Sequence, residues 1–199
     1  MHYLPRWITP RFQEAVEDHP VVILSGARQV GKSTFLRHAP PMREWRYLTL
    51  DDFDILGQAQ RDPRALLAGD TPLVLDEVQR EPRLLSAVKQ AVDESPSGKR
   101  FVLSGSANLL LLKSVSESLA GRAVYLTLGP MTVGEMLEQP PRSLLLELLA
   151  GQMPAEAVCQ PPDVHPSHLI WRGLLPPLLT LSRDSAVVRW WEGYVASYL

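Results

Sequence analysis

Short apolar runs punctuate the first two thirds of this chain, and helix-spaced stretches stand between several of them. Val21-Val22-Ile23-Leu24 is apolar throughout and rich in β-branched residues, the pattern of a strand buried on both faces. On the same grounds strands are predicted at 21–25, 47–50, 73–75, 101–103 and 123–128. Thr9 followed by Pro10 reads as a helix start, and the helix is expected to cover residues 10 to 18. A second helix opens over Thr34 to His38 and is stopped by Pro40-Pro41. A short one begins at Asp62-Pro63 and is closed by Gly69. Another follows Pro82, where Leu84, Leu85, Val88, Ala91 and Val92 fall on one face.

Strands that alternate with helices imply right-handed crossovers, and so a parallel sheet covered on both faces. The expected fold class is therefore α/β, a three-layer sandwich with a five-stranded parallel sheet and a helical C-terminal segment. Ligands in such sheets bind beyond the carboxyl ends of the strands. The polar residues that follow the predicted strands, Ser33, Asp51, Asp76, Glu77, Ser104 and Ser106, all belong to that end.

The first strand runs into Gly26-Ala27-Arg28-Gln29-Val30-Gly31-Lys32-Ser33, which fits the pattern G-x-x-x-x-G-K-S. Backbone N–H groups of such a loop wrap the phosphates of a nucleotide, and the glycines permit the backbone angles that wrapping needs. The helix that opens at Thr34 adds its dipole. Lys32 is expected to reach the outer phosphates and Ser33 to ligate Mg²⁺. The nucleotide-binding set is thus Gly26, Ala27, Arg28, Gln29, Val30, Gly31, Lys32, Ser33 and Thr34.

Leu73-Val74-Leu75-Asp76-Glu77 is an apolar strand ending in two acids. Asp76 is expected to share the Mg²⁺ with Ser33, and Glu77 to orient or deprotonate the attacking water. Glu77 is what favours hydrolysis over binding alone. A phosphate-loop kinase would use its acids on an acceptor hydroxyl instead. Guanine recognition through Asn-Lys-x-Asp is excluded, because Asn108 is the chain's single asparagine. The adjacent Asp51-Asp52 either lies near the metal or caps the next segment.

Taken together, Arg28 to Thr34, Leu50-Asp51-Asp52, Asp76-Glu77-Val78-Gln79-Arg80, Ser104-Gly105-Ser106-Ala107-Asn108 and Ser118-Leu119-Ala120-Gly121-Arg122 resemble the AAA-type P-loop ATPases of bacteria and archaea that carry a C-terminal domain of unknown function. The resemblance covers roughly residues 1 to 135. Arg172 to Pro176 and Trp191 to Leu199 are similar to the start of the family's C-terminal domain, so the chain reads as stopping short of it. The resemblance implies that the fourth strand lies between the first and third. Ser104 or Ser106 would then face the γ-phosphate as a polar sensor; the competing reading is a tight turn, with Asn108 capping the next helix. Arg122 would stabilise charge on the transferred phosphoryl group, from its own chain or from a neighbouring subunit. The alternative for Arg122 is a cation at the end of a helix.

Composition changes this picture little. The 199 residues are 45% hydrophobic and 21% charged with a net charge of −2, so no overall basic field points to nucleic acid or anionic lipid. One cysteine, Cys159, excludes an internal disulfide and suits the cytoplasm. No apolar run approaches a membrane span. After about residue 139 the chain is interrupted by Pro140-Pro141, Pro161-Pro162, Pro166 and Pro176-Pro177. The expected domains are 1–139, the ATPase, and 140–199, a helical, proline-interrupted linker and domain start. Within it Ser143 to Ala150 and Ala186 to Leu199 read as helices, and 151 to 168 as a loop. Cys159, Asp163, His165 and His168 fit no common zinc spacing.

The expectation is an ATP-binding protein that hydrolyses Mg-ATP to ADP and phosphate. It would couple this to an unknown protein or nucleic-acid partner, form a homo-oligomer on binding nucleotide, and make no use of a membrane. The competing readings are a nucleotide-binding regulatory module with negligible turnover and a small-molecule kinase.

Overall fold

The structure, a computed structural model, describes residues 3–95, 98–106, 119–140, 148–151 and 165–197. Strands β1 (Val21–Ser25), β2 (Arg46–Thr49), β3 (Leu73–Asp76), β4 (Phe101–Ser104) and β5 (Ala123–Thr127) form one sheet in the order β2-β3-β4-β1-β5. All four neighbouring pairs are parallel. The chain is thus α/β with a five-stranded parallel sheet, and β4 lies between β1 and β3. The three central strands are buried at every position, as their unbroken apolar runs require, whereas the edge strands β2 and β5 are partly open.

Helices α1 (Thr9–Asp18), α2 (Lys32–His38), α3 (Phe53–Arg61), α4 (Pro63–Leu66) and α5 (Arg83–Asp93) accompany these strands. Alternate strand residues point to opposite faces. Val21, Ile23, Leu73, Leu75, Phe101 and Leu103 pack with Leu84, Leu85 and Val88 of α5 and with Ala59 and Leu66 of α3 and α4. Val22, Leu24, Val74 and Val102, which face the other way, are equally buried. Phe12 of α1 and Phe35 of α2 meet edge to face, 5.1 Å between ring centres, and both are buried.

Of the two readings of Asp51-Asp52, the cap holds for Asp52, which precedes α3 and whose carboxylate accepts from the N–H groups of Asp54 (2.8 Å) and Ile55 (3.3 Å). One expectation changes, at Pro166. It does not prolong a loop to residue 168; it occupies the first turn of a helix, where its missing N–H costs nothing.

The chain divides into two compact units. One is Ile8–Gly129, which holds the sheet. The other comprises the described residues 3–7 and those from Pro130 onward. The second unit contains α6 (Val133–Met136), α7 (Pro166–Arg172), α8 (Pro176–Leu179) and α9 (Asp184–Ala196). Its anchor is Glu135, which forms a capping box with Thr132, accepts from the Trp7 N–H at 2.6 Å and pairs with the Arg6 guanidinium at 3.2 Å. Trp190, Trp191 and Tyr194 form an aromatic cluster on α9. Among the described residues no helix is long and apolar enough to cross a membrane. Asn108, Ser118, Cys159 and Asp163, and most of the helix expected at 143–150, lie outside the described residues.

Candidate nucleotide site

The loop leaves β1 at Ser25 and is shaped by two glycines. A Cβ on Gly26 would stand 2.4 Å from the Leu128 carbonyl oxygen, because the chain leaving β5 runs directly against the loop. Gly31 has φ +95° and turns the chain into α2, a left-handed angle that side chains resist. Gln29 takes φ +62°, and Val30 between them is fully buried and pins the loop to the unit. Arg28, Thr34 and Ala27 complete the segment, with Ala27 supplying a carbonyl to Lys32.

Lys32 is buried, and its ammonium bridges the loop by donating to the carbonyls of Gly26 (2.9 Å) and Ala27 (3.0 Å). Burial lowers its pKa; the carboxylates of Glu77 and Asp76 oppose that shift, while Arg28 adds to it. Lys32 therefore lies in the field of both acids at the end of β3.

Asp76 is the last residue of β3 and 1% exposed. A buried carboxylate needs donors, and two are present. The Glu77 N–H donates to Oδ1 at 3.1 Å, and the Tyr47 hydroxyl donates to Oδ2 at 2.5 Å. Ser33, in the first turn of α2, is a further neighbour of that hydroxyl. Burial, the hydrogen bond to Asp76 and the charge of Asp76 push the Tyr47 pKa up. Ser33 and Asp76, the two expected metal ligands, thus both border Tyr47.

Glu77 follows in the left-handed region at φ +58°, so its side chain departs in a direction that a continuing strand would not allow. Its carboxylate accepts from the Gln79 amide. Ser104 ends β4 and is opposite Leu24 of β1, fully buried, its hydroxyl without a hydrogen-bond partner among the described residues. Ser106 is half-buried.

Arg122 is not brought to this group. It directly precedes β5, whose first residue is in register with Val21, the first of β1. That is the amino end of the sheet, about 16 Å along the strands from the loop at about 3.3 Å per residue. There it forms a two-pronged pair with Asp93 at the end of α5, at 2.6 and 2.9 Å. A role for Arg122 within its own chain is corrected accordingly. Asp51 also has another partner, Arg80, at 2.8 Å. His165 bonds Ser167, and His168 lies beside the Trp171 ring on α7.

Tyr47 and Gln79 were not among the site residues expected from sequence. A tyrosine in a strand reads as ordinary β-propensity. The available signal was the pairing of β2 with β3, which sets Thr49 opposite Asp76 and Tyr47 two residues before it on the same face.

A model of the AAA domain family matches residues 18–137. The uncharacterized proteins Mb2031c of Mycobacterium bovis and Rv2008c of Mycobacterium tuberculosis are each 31% identical over 195 residues, 95% of this chain and 37% of theirs. The chain therefore spans little more than a third of the curated relatives it matches. Among solved structures, the Walker-type ATPase PABY2304 of Pyrococcus abyssi is similar with a TM-score of 0.47 and 19% identity over 68% of this chain and 56% of that one. A DNA polymerase III gamma subunit-related protein of Thermotoga maritima is similar with a TM-score of 0.38 and 13% identity, covering 60% and 45%. Likenesses this loose carry no information on what the chain acts upon.

Proposed function

The chain belongs to the AAA domain family of nucleotide-binding P-loop ATPases, and from that premise we propose that it hydrolyses Mg-ATP to ADP and phosphate at the Gly26–Thr34 loop. The observation that carries the reading is the convergence of Lys32, Ser33, Asp76 and Glu77 at the carboxyl ends of β1 and β3. The N–H groups of the loop and the Lys32 ammonium hold the phosphates. Ser33 and Asp76 suit Mg²⁺, a hard cation that takes oxygen ligands and completes its shell with water and phosphate oxygens. When bound, the ion neutralises charge on the β- and γ-phosphates. Glu77 accepts a proton from water as its oxygen attacks the γ-phosphorus, and the bond to the bridging oxygen breaks to release ADP. The buried Ser104 hydroxyl, lacking a partner among the described residues, serves as a donor toward the γ-phosphate.

Mass action supplies a direct test of binding. At a hundredfold excess over its dissociation constant, Mg-ATP stabilises the fold by about 2.7 kcal/mol. For a chain of this size that raises the melting temperature by about 5–10 °C. An unchanged melting temperature with millimolar Mg-ATP would sink the reading.

Arg122 enters this scheme only from a second copy of the chain, in a homo-oligomer formed on nucleotide. Turnover per protomer is then expected to rise with protein concentration, and Arg122→Ala to remove the rise, as measured by phosphate release across a dilution series. Flat turnover that the variant shares removes Arg122 from the reaction. The proposal extends to a cytoplasmic protein coupled to a protein or nucleic-acid partner. A binding module with negligible turnover is the second reading, favoured by the contact of Gln79 with Glu77.

A further inference from the structure

We propose that Tyr47 is a positioning residue for the metal site, holding Asp76 in the orientation a cation requires. The inference rests on the ATPase reading above and adds a part to it that the loop and acid motifs do not contain.

The directions of the hydrogen bonds carry the argument. An ionised Asp76 carboxylate only accepts, so the short 2.5 Å contact must be donated by the Tyr47 hydroxyl. That uses the phenol's one proton. Ser33 stands beside the same hydroxyl, whose remaining capacity is as an acceptor. Asp76 is oriented at both oxygens, by Tyr47 at Oδ2 and the Glu77 N–H at Oδ1, and retains lone pairs for a metal or its waters.

Tyr47 is itself held in place. It stands on β2, next to β3, and its ring lies 4.5 Å from the Arg37 guanidinium. Arg37 is four residues after Ser33 on α2, hence on the same helix face. One face of α2 thus meets both ends of the tyrosine, guanidinium over the ring and hydroxyl beside the phenol oxygen. A phenylalanine would fill the same volume and keep the Arg37 contact. What it would lack is the hydroxyl.

The test is a titration of Tyr47→Phe and the unaltered chain with Mg²⁺, read as equilibrium binding of a fluorescent ATP analogue, with EDTA samples as baseline. Loss of a group that orients metal ligands typically weakens metal binding by about 10–100-fold. Tyr47→Phe is therefore expected to bind the analogue in EDTA about as the unaltered chain does, and to need about tenfold more Mg²⁺ or beyond for the metal-dependent gain. Melting scans in EDTA without nucleotide check that the variant folds, and Mn²⁺ binding followed by its paramagnetic resonance gives the metal affinity independently. An Mg²⁺ midpoint equal to or below that of the unaltered chain overturns the inference alone. If the unaltered chain binds no nucleotide in either condition, the ATPase reading falls and takes this inference with it.

Discussion

Lys32→Ala is expected to abolish measurable nucleotide binding while leaving a folded protein. The ammonium is a charged group that the loop itself delivers to the place where phosphates would lie, and it is buried there, donating to the Gly26 and Ala27 carbonyls. A hydrogen bond to a charged group contributes about 1.5–3 kcal/mol, and Lys32 would make at least two to the outer phosphates. Part of that gain is offset by the two carbonyl contacts it gives up. A net loss of about 3 kcal/mol corresponds to more than a hundredfold in affinity. The fold should survive, because burial disfavours the charge that is removed, as the lowered pKa of Lys32 indicates. Calorimetric titration with Mg-ATP, beside a melting scan without nucleotide, separates the two effects. Binding within a few-fold of the unaltered chain would remove Lys32 from the phosphate site.

Glu77→Gln has the other large expected effect, on turnover and not on binding. The amide keeps the size and shape of the carboxyl group and faces the same left-handed backbone at φ +58°. It can also still meet Gln79. What it cannot do is accept a proton from water. Loss of a positioned base typically costs about 10²–10⁴ in rate. Single-turnover phosphate release should fall by that factor, with nucleotide affinity unchanged within about threefold. Equal turnover would favour the module without catalysis, in which Gln79 merely ties Glu77 down.

Much of the fold was legible because burial on both faces leaves a plain signature. The uninterrupted apolar runs at Val21, Leu73 and Phe101 are the three central strands, displaced by a residue at most. Helix α3 escaped notice because its surface is largely polar, with Phe53 81% exposed and Gly57 in its middle. Only Ile55, Leu56 and Ala59 touch the core, too short a stripe to stand out. Asp52, read as an alternative between metal neighbour and cap, is a cap because its carboxylate is used by the N–H groups of α3.

The candidate site was legible where chemistry is local in sequence and illegible where it is not. The loop and the acid pair are contiguous motifs. Tyr47 joins them only through the pairing of a separate strand. Arg122 is instructive in the opposite direction. In a parallel sheet every strand's carboxyl end faces the same way, so a residue just before a strand belongs at the end remote from the loop. The sequence already placed Arg122 just before β5, and the register of Ala123 with Val21 gives that position its structural meaning.

Phosphate release from Mg-ATP by the purified chain, with Lys32→Ala as the blank, tests the proposal most directly. Steady release from the unaltered chain that falls to background in the variant is the expected result. Release that is equal in the two proteins, or absent from both, would contradict ATP hydrolysis at this loop.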